Sequence, residues 1–120
     1  MDKNKSLTIE KTLDLAMKNH QEGKTDIAQK FYNQVLEIEP NHSQALNNIG
    51  IIFKTLGENQ KAKDCYEKII EINPNYADAH NNLGIIFREL GENQKAIGCY
   101  KKAIEINPIY AHAYNNLGII

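Results

Sequence analysis

The chain has little that would commit it to chemistry. Its 14 lysines and arginines nearly balance 15 aspartates and glutamates, for a formal net charge of −1. It therefore lacks the basic surplus of a nucleic-acid-binding surface. No apolar stretch approaches the roughly 20 residues that cross a bilayer. Met1-Asp2-Lys3-Asn4-Lys5-Ser6 leads into no apolar run of the kind a signal peptide needs. There is no glycine-rich phosphate loop, and the two cysteines, Cys65 and Cys99, have no histidine partner in sequence. His20, His42, His80 and His112 share no metal-ligand spacing such as i, i+4 on one helix. The carboxylates are interspersed with lysines, as in Glu58…Lys61 and Glu67-Lys68, which reads as a solvated helix surface. These absences predict a chain that is not an enzyme, binds no metal or cofactor, and meets neither nucleic acid nor membrane.

What is present is a period. Asn47-Asn48-Ile49-Gly50-Ile51-Ile52 returns as Asn81-Asn82-Leu83-Gly84-Ile85-Ile86, and again as Asn115-Asn116-Leu117-Gly118-Ile119-Ile120, each time after 34 residues. About two thirds of positions are identical between Ser43–Tyr76 and Ala77–Tyr110. A more diverged copy occupies Ile9–His42, where Leu15, Gly23, Ala28, Tyr32 and Pro40 align with Ile49, Gly57, Ala62, Tyr66 and Pro74. The organisation read from this is a polar lead-in over residues 1–8 and units over 9–42, 43–76 and 77–110. A further first helix then occupies 111–120, all in one domain. A fixed period in this range means a solenoid of stacked units.

Each unit reads as two helices. Ala45, Leu46, Ile49, Gly50, Ile52, Phe53 and Leu56 follow the three-and-four spacing of one helical face. Gly57 follows, where a left-handed cap ends a helix cheaply. The second helix, about Asn59 to Ile72, carries a stripe of Ala62, Cys65, Tyr66, Ile69, Ile70 and Ile72. Asn73-Pro74 ends it, because the residue before proline is pushed out of helical geometry. Short connections make the helices antiparallel, and no segment alternates as a strand would. Gly50 and Gly84, with Ala62 and Ala96, are expected to let paired backbones approach, with Phe53, Phe87, Tyr66 and Tyr100 filling the space beside them. The cysteines stand one unit apart on helices about 8–10 Å from each other, beyond the roughly 4.4–6.8 Å between disulfide-bonded Cα atoms. They read as reduced packing residues, and a cytoplasmic location is the expectation that follows.

This pattern resembles the tetratricopeptide repeat family over Ile9–Ile120. Leu46, Ile49-Gly50, Phe53, Ala62, Tyr66 and Pro74 meet the family pattern, as do Leu83-Gly84, Phe87, Ala96, Tyr100, Ala103 and Pro108. The first unit departs from it, with Thr12, Ala16 and Asn19. The resemblance implies an all-α, right-handed α-solenoid that acts as a protein-interaction scaffold, its first helices lining a concave face. It places Asn48, Asn82 and Asn116 in a ladder along that face. A similar ladder in the repeat domains of O-linked N-acetylglucosamine transferases holds protein substrates.

An asparagine amide offers an acceptor and two donors, enough to pair with a peptide backbone. A rung spacing of about 8–10 Å approximates three extended residues of about 3.3–3.6 Å. Asparagine is also a poor helix former, which argues for a use. Against this, a recently duplicated chain rich in Asn, Lys and Ile would carry these residues without any use. Ile51 and Ile85 are expected to add apolar contact on the same face, and Lys54 and Arg88 positive charge suited to a carboxylate. The basic clamp by which some family members hold acidic chaperone tails is mostly missing: Leu13, Met17 and Asp78 stand at its positions. Tyr114 and Leu117 of the final helix are expected to stay partly bare and, with Ile120, to support self-association. Two alternatives to a free-standing scaffold remain from the sequence. One is a substrate-recruiting domain of a larger enzyme such as a glycosyltransferase, the other a self-assembly module.

Overall fold

The computed structural model describes residues 3–119, with side chains from Lys3 through Gly118. Those residues form seven helices and no strand: α1 Lys3–Gln21, α2 Thr25–Ile38, α3 Ser43–Thr55, α4 Asn59–Ile72, α5 Ala77–Glu89, α6 Asn93–Ile106 and α7 Ala111–Ile119. Consecutive helices pack as pairs, and the pairs stack into a body of 44 × 28 × 22 Å. This is an all-α solenoid. Residues 3–8, ahead of Ile9, form the N-terminal part of α1, since nothing between Lys3 and Thr8 breaks a helix.

The punctuation acts where the sequence places it. Gly23, Gly57 and Gly91 adopt φ of +78°, +79° and +78°. At the end of α3 the Gly57 N–H donates to the Lys54 carbonyl at 3.0 Å and the Glu58 N–H to Phe53 at 2.8 Å. The same pair of bonds closes α1 and α5, satisfying carbonyls that the helix ends would otherwise orphan. Asn73 and Asn107, each before a proline, leave the helical region at ψ 84° and 93°. His42 caps α3, its Nδ1 accepting the Ala45 N–H at 3.1 Å.

Within a pair, the close approach is ring to backbone, which corrects the expected backbone-to-backbone contact. A Cβ on Gly50 would lie 2.7 Å from Cε1 of Tyr66, and one on Gly84 would lie 2.6 Å from Cε1 of Tyr100. The glycines make room for buried tyrosines; Tyr66 and Tyr100 are at most 1% exposed. Between pairs, Ala45, Ile49 and Ile52 of α3 join the core of the first pair, while Ala79, Leu83 and Ile86 of α5 join that of the second. This explains one mismatch. Leu15, aligned with buried Ile49, is 47% exposed because nothing among the described residues packs over that face of α1. Leu56 and Ile72 also fall outside the core at their helix ends, exposed rather than part of the apolar faces assigned to them.

Cys65 and Cys99 are free, half-buried thiols on α4 and α6. Burial pushes each up to about 11, with Asp64 adding to the rise at Cys65 and Lys68 opposing it.

Two outcomes follow. Gly50→Ala gains about 0.5–1 kcal/mol of helix propensity but meets a ring with nowhere to retreat, a clash costing about 1–3 kcal/mol. Its urea midpoint should fall. Gly98→Ala, with nothing within 4 Å of the new methyl, should raise the midpoint. The second outcome concerns the thiols, which stay protonated near neutral pH, so the reactive thiolate is scarce. Disulfide-exchange labelling of native protein at pH 7.5 should be roughly tenfold slower than of urea-unfolded protein, the scarcer thiolate being partly offset by its greater nucleophilicity. Its rate should still be climbing at pH 10.

Candidate functional site

The first helices α3, α5 and α7 lie side by side, α3 touching α5 and α5 touching α7. Their shared face forms an open groove of about 470 Å³. Because 34 residues separate equivalent positions, residues at the same helical phase line up in rows across it. Asn48, Asn82 and Asn116 make one row. Ile51 and Ile85, three residues on, make the next. Asp78 and His112, four residues before an asparagine of the ladder, stand on its other side.

The ladder is braced from beneath. Asn82 Nδ2 donates to Asn47 Oδ1 at 3.0 Å, and Asn116 Nδ2 donates to Asn81 Oδ1 at 2.8 Å. Asn47 and Asn81 are only 6% and 4% exposed, whereas Asn82 and Asn116 are half-buried. Each rung amide is thus tied to the preceding first helix by one N–H. Its carbonyl and second N–H remain for a ligand, one donor fewer than an unbraced amide would offer.

The first rung differs. Leu13 holds the place that Asn47 and Asn81 hold later, so no amide carbonyl awaits Asn48 there. Asn48 instead lies beside the Tyr32 hydroxyl, which pairs with His20 Nδ1 at 3.5 Å; burial pushes that phenol up, and the Asn48 amide partly opposes the rise. Met17, His20 and Tyr32 share a hollow with Asn48.

Asp78 is fixed by the next pair. It accepts a hydrogen bond from the Tyr110 hydroxyl. Burial, then this bond and the carboxylate charge, push the Tyr110 phenol up, so it remains a donor. His112 stacks edge-on against Tyr110 with centroids 5.9 Å apart. Asp78 is the one carboxylate lining the groove, and no lysine or arginine lines it.

Lys54 and Arg88 lie in the last turns of α3 and α5, beyond the groove lining. Lys54 pairs with Glu89 of the next unit at 2.9 Å. Arg88 lies near Tyr100, where burial raises the phenol and the guanidinium charge opposes the rise. Arg88 Nη1 and the Tyr100 hydroxyl are buried without hydrogen-bond partners among the described residues. His80 is a packing residue, its Nε2 bonded to the Pro74 carbonyl at 2.8 Å. His20 stacks edge-on against Tyr32. On α7, Leu117 is half-buried against the core of the third pair, and Tyr114 is 50% exposed with its hydroxyl donating to the Pro108 carbonyl. Ile120 lies outside the described residues.

Sequence reasoning named the outer asparagines and missed the inner ones. Consecutive helical residues point about 100° apart, so the doubled Asn-Asn already implied that only one of each pair could face a ligand. Asp78 was visible as well, four residues before Asn82. Tyr110 was not, because its bond reaches across 32 residues.

No helix among the described residues is long and apolar enough to cross a membrane. Tetratricopeptide repeat family models match residues 43–76 and 77–110, and a second such model matches 14–42. No curated protein matches the sequence. Among solved structures, a mutant O-GlcNAc transferase from Thermobaculum terrenum is similar at 25% identity and a TM-score of 0.92, over 99% of this chain and 23% of the transferase chain. MamA is 29% identical with a TM-score of 0.82, over 92% of this chain and 65% of MamA. The first tetratricopeptide repeat domain of Spaghetti (RPAP3), solved with an HSP90 peptide, is 21% identical with a TM-score of 0.84, over 98% of this chain and 90% of that one. The chain thus spans about a quarter of the transferase and under two thirds of MamA. With its repeats matched over most of its length and its helix pairs stacked as a solenoid, the chain belongs to the tetratricopeptide repeat family.

Proposed function

We propose that the chain is a non-catalytic interaction scaffold that holds an extended peptide segment of a protein partner in the groove of α3, α5 and α7. Asn48, Asn82 and Asn116 would bond the peptide backbone, and Ile51 and Ile85 would receive its apolar side chains. The observation that carries this reading is the brace. Two of the three rungs, Asn82 and Asn116, are already oriented by Asn47 and Asn81 and lose less freedom on binding than a free side chain would. Rungs about 8–10 Å apart suit every third residue of a strand rising about 3.3 Å per residue. The similarity to a repeat domain solved with a bound peptide supports the same reading. The similarity to part of a glycosyltransferase keeps a second context open, in which the groove recruits substrates for a catalytic domain. The half-exposed Tyr114, beside Leu117, favours self-association through α7 as an additional contact, read by concentration-dependent mass.

The test is selection from a random 12-residue phage-displayed peptide library. Peptides enriched on the wild type should bind an Asn48→Ala/Asn82→Ala variant at least tenfold more weakly, the variant's helicity being unchanged. Peptides that bind both forms equally would place the site elsewhere.

A further inference from the structure

The three rows of the groove differ in how they repeat. Asparagine recurs at 48, 82 and 116, and isoleucine at 51 and 85. Rows that repeat identically cannot fix which residue of a peptide meets which rung, because a shift of one rung restores the same contacts. The row at 44, 78 and 112 does not repeat: it reads Gln44, Asp78, His112. Asp78 and His112 of that row line the groove, so with Tyr110 beside them they carry the discrimination the repeating rows cannot.

Asp78 has the means. It is the one formally charged side chain among the groove-lining residues. It stands one turn from Asn82, so a side chain projecting from a backbone held on that rung reaches it. One oxygen is held by the Tyr110 hydroxyl, whose ring also walls the site, and this sets the carboxylate's direction while leaving the other oxygen open. The cations that could neutralise it stand elsewhere. Arg88 is ten residues along α5, about 15 Å at the rise of an α-helix, and Lys54 is engaged by Glu89. Gln44, the preceding member of the row, is bonded to Met17 Sδ at 3.6 Å.

We infer that Asp78 makes this groove selective for extended peptides carrying a lysine or arginine beside the Asn82 rung, and unfavourable to acidic ones. The inference rests on the proposed peptide-binding role of the ladder and adds to it the sign of the partner. It is opposite to the sign that Lys54 and Arg88 suggest when read from the sequence. Asp78 is exposed, so the pair it forms is screened and the preference is modest.

The same phage library tests it. On the wild type, enriched peptides should carry Lys or Arg at one position, and Asp78→Asn, which keeps an acceptor for Tyr110, should erase that preference. A synthetic peptide from the selection should lose roughly three- to fivefold in affinity on Asp78→Asn, and by a similar factor in the wild type between 50 and 500 mM salt. His112→Asp places a second carboxylate one rung along at an exposed position. It should enrich a second basic residue about three positions from the first. Peptides that need Asn82 but show no basic preference, or that keep it on Asp78→Asn, would overturn this inference and leave the ladder standing. A library yielding no peptide that depends on Asn48 and Asn82 would overturn both.

Discussion

A buried amide must be hydrogen-bonded or it destabilises the fold that buries it. Asn47 and Asn81 are buried where α3 meets α5 and where α5 meets α7, and in each case the partner is the outer asparagine of the next unit. That single bond sets the distance and rotation of neighbouring first helices while it orients the groove amide. Stacking of the units and readiness of the surface are therefore one constraint. It also accounts for two adjacent asparagines in a helix, where either alone would be a weak choice.

The rest of the architecture supplies the apolar side of that arrangement. No helix pair covers its own faces. In the second and third pairs the tyrosine of the second helix is laid onto the glycine of its partner, and the following pair closes over the remainder. Where nothing among the described residues packs alongside, the consequence is visible, as at Leu15 on α1 and Tyr114 on α7. Surface ion pairs such as Glu58–Lys61 and Glu92–Lys95, at 3.7 and 3.8 Å, add little to this. The fold rests on shape more than on charge.

Much of this was legible in the residues. The helices, their glycine and proline ends and the phase of the core follow from local rules that one repeat copies to the next. What escaped was set by neighbours across the period. Gly50 and Gly84 look like sites of backbone approach until the ring of Tyr66 or Tyr100 is seen on them. Lys54 looks available until Glu89, 35 residues on, is found beside it. Asn48 looks equivalent to Asn82, yet Leu13 deprives it of a brace and leaves it in a hollow beside Met17, His20 and Tyr32. Aligning units reveals what they share. The site depends on what each unit does to the next, and that appears only when position 13 is compared with 48, or 47 with 82.

A ladder held in place before any ligand arrives is the claim on which the functional reading turns. The most direct test is solution NMR of the side-chain amides, with exposed Asn115 as internal reference. Hydrogen exchange at Asn82 and Asn116 Nδ2 should be clearly slower than at Asn115. Replacing Asn47 by leucine, the residue the first unit carries at that place, should speed exchange at Asn82 and leave Asn116 unchanged. If Asn82 exchanges as freely as Asn115 in the wild-type protein, the amides are not held, and the ladder is not prepared for a peptide.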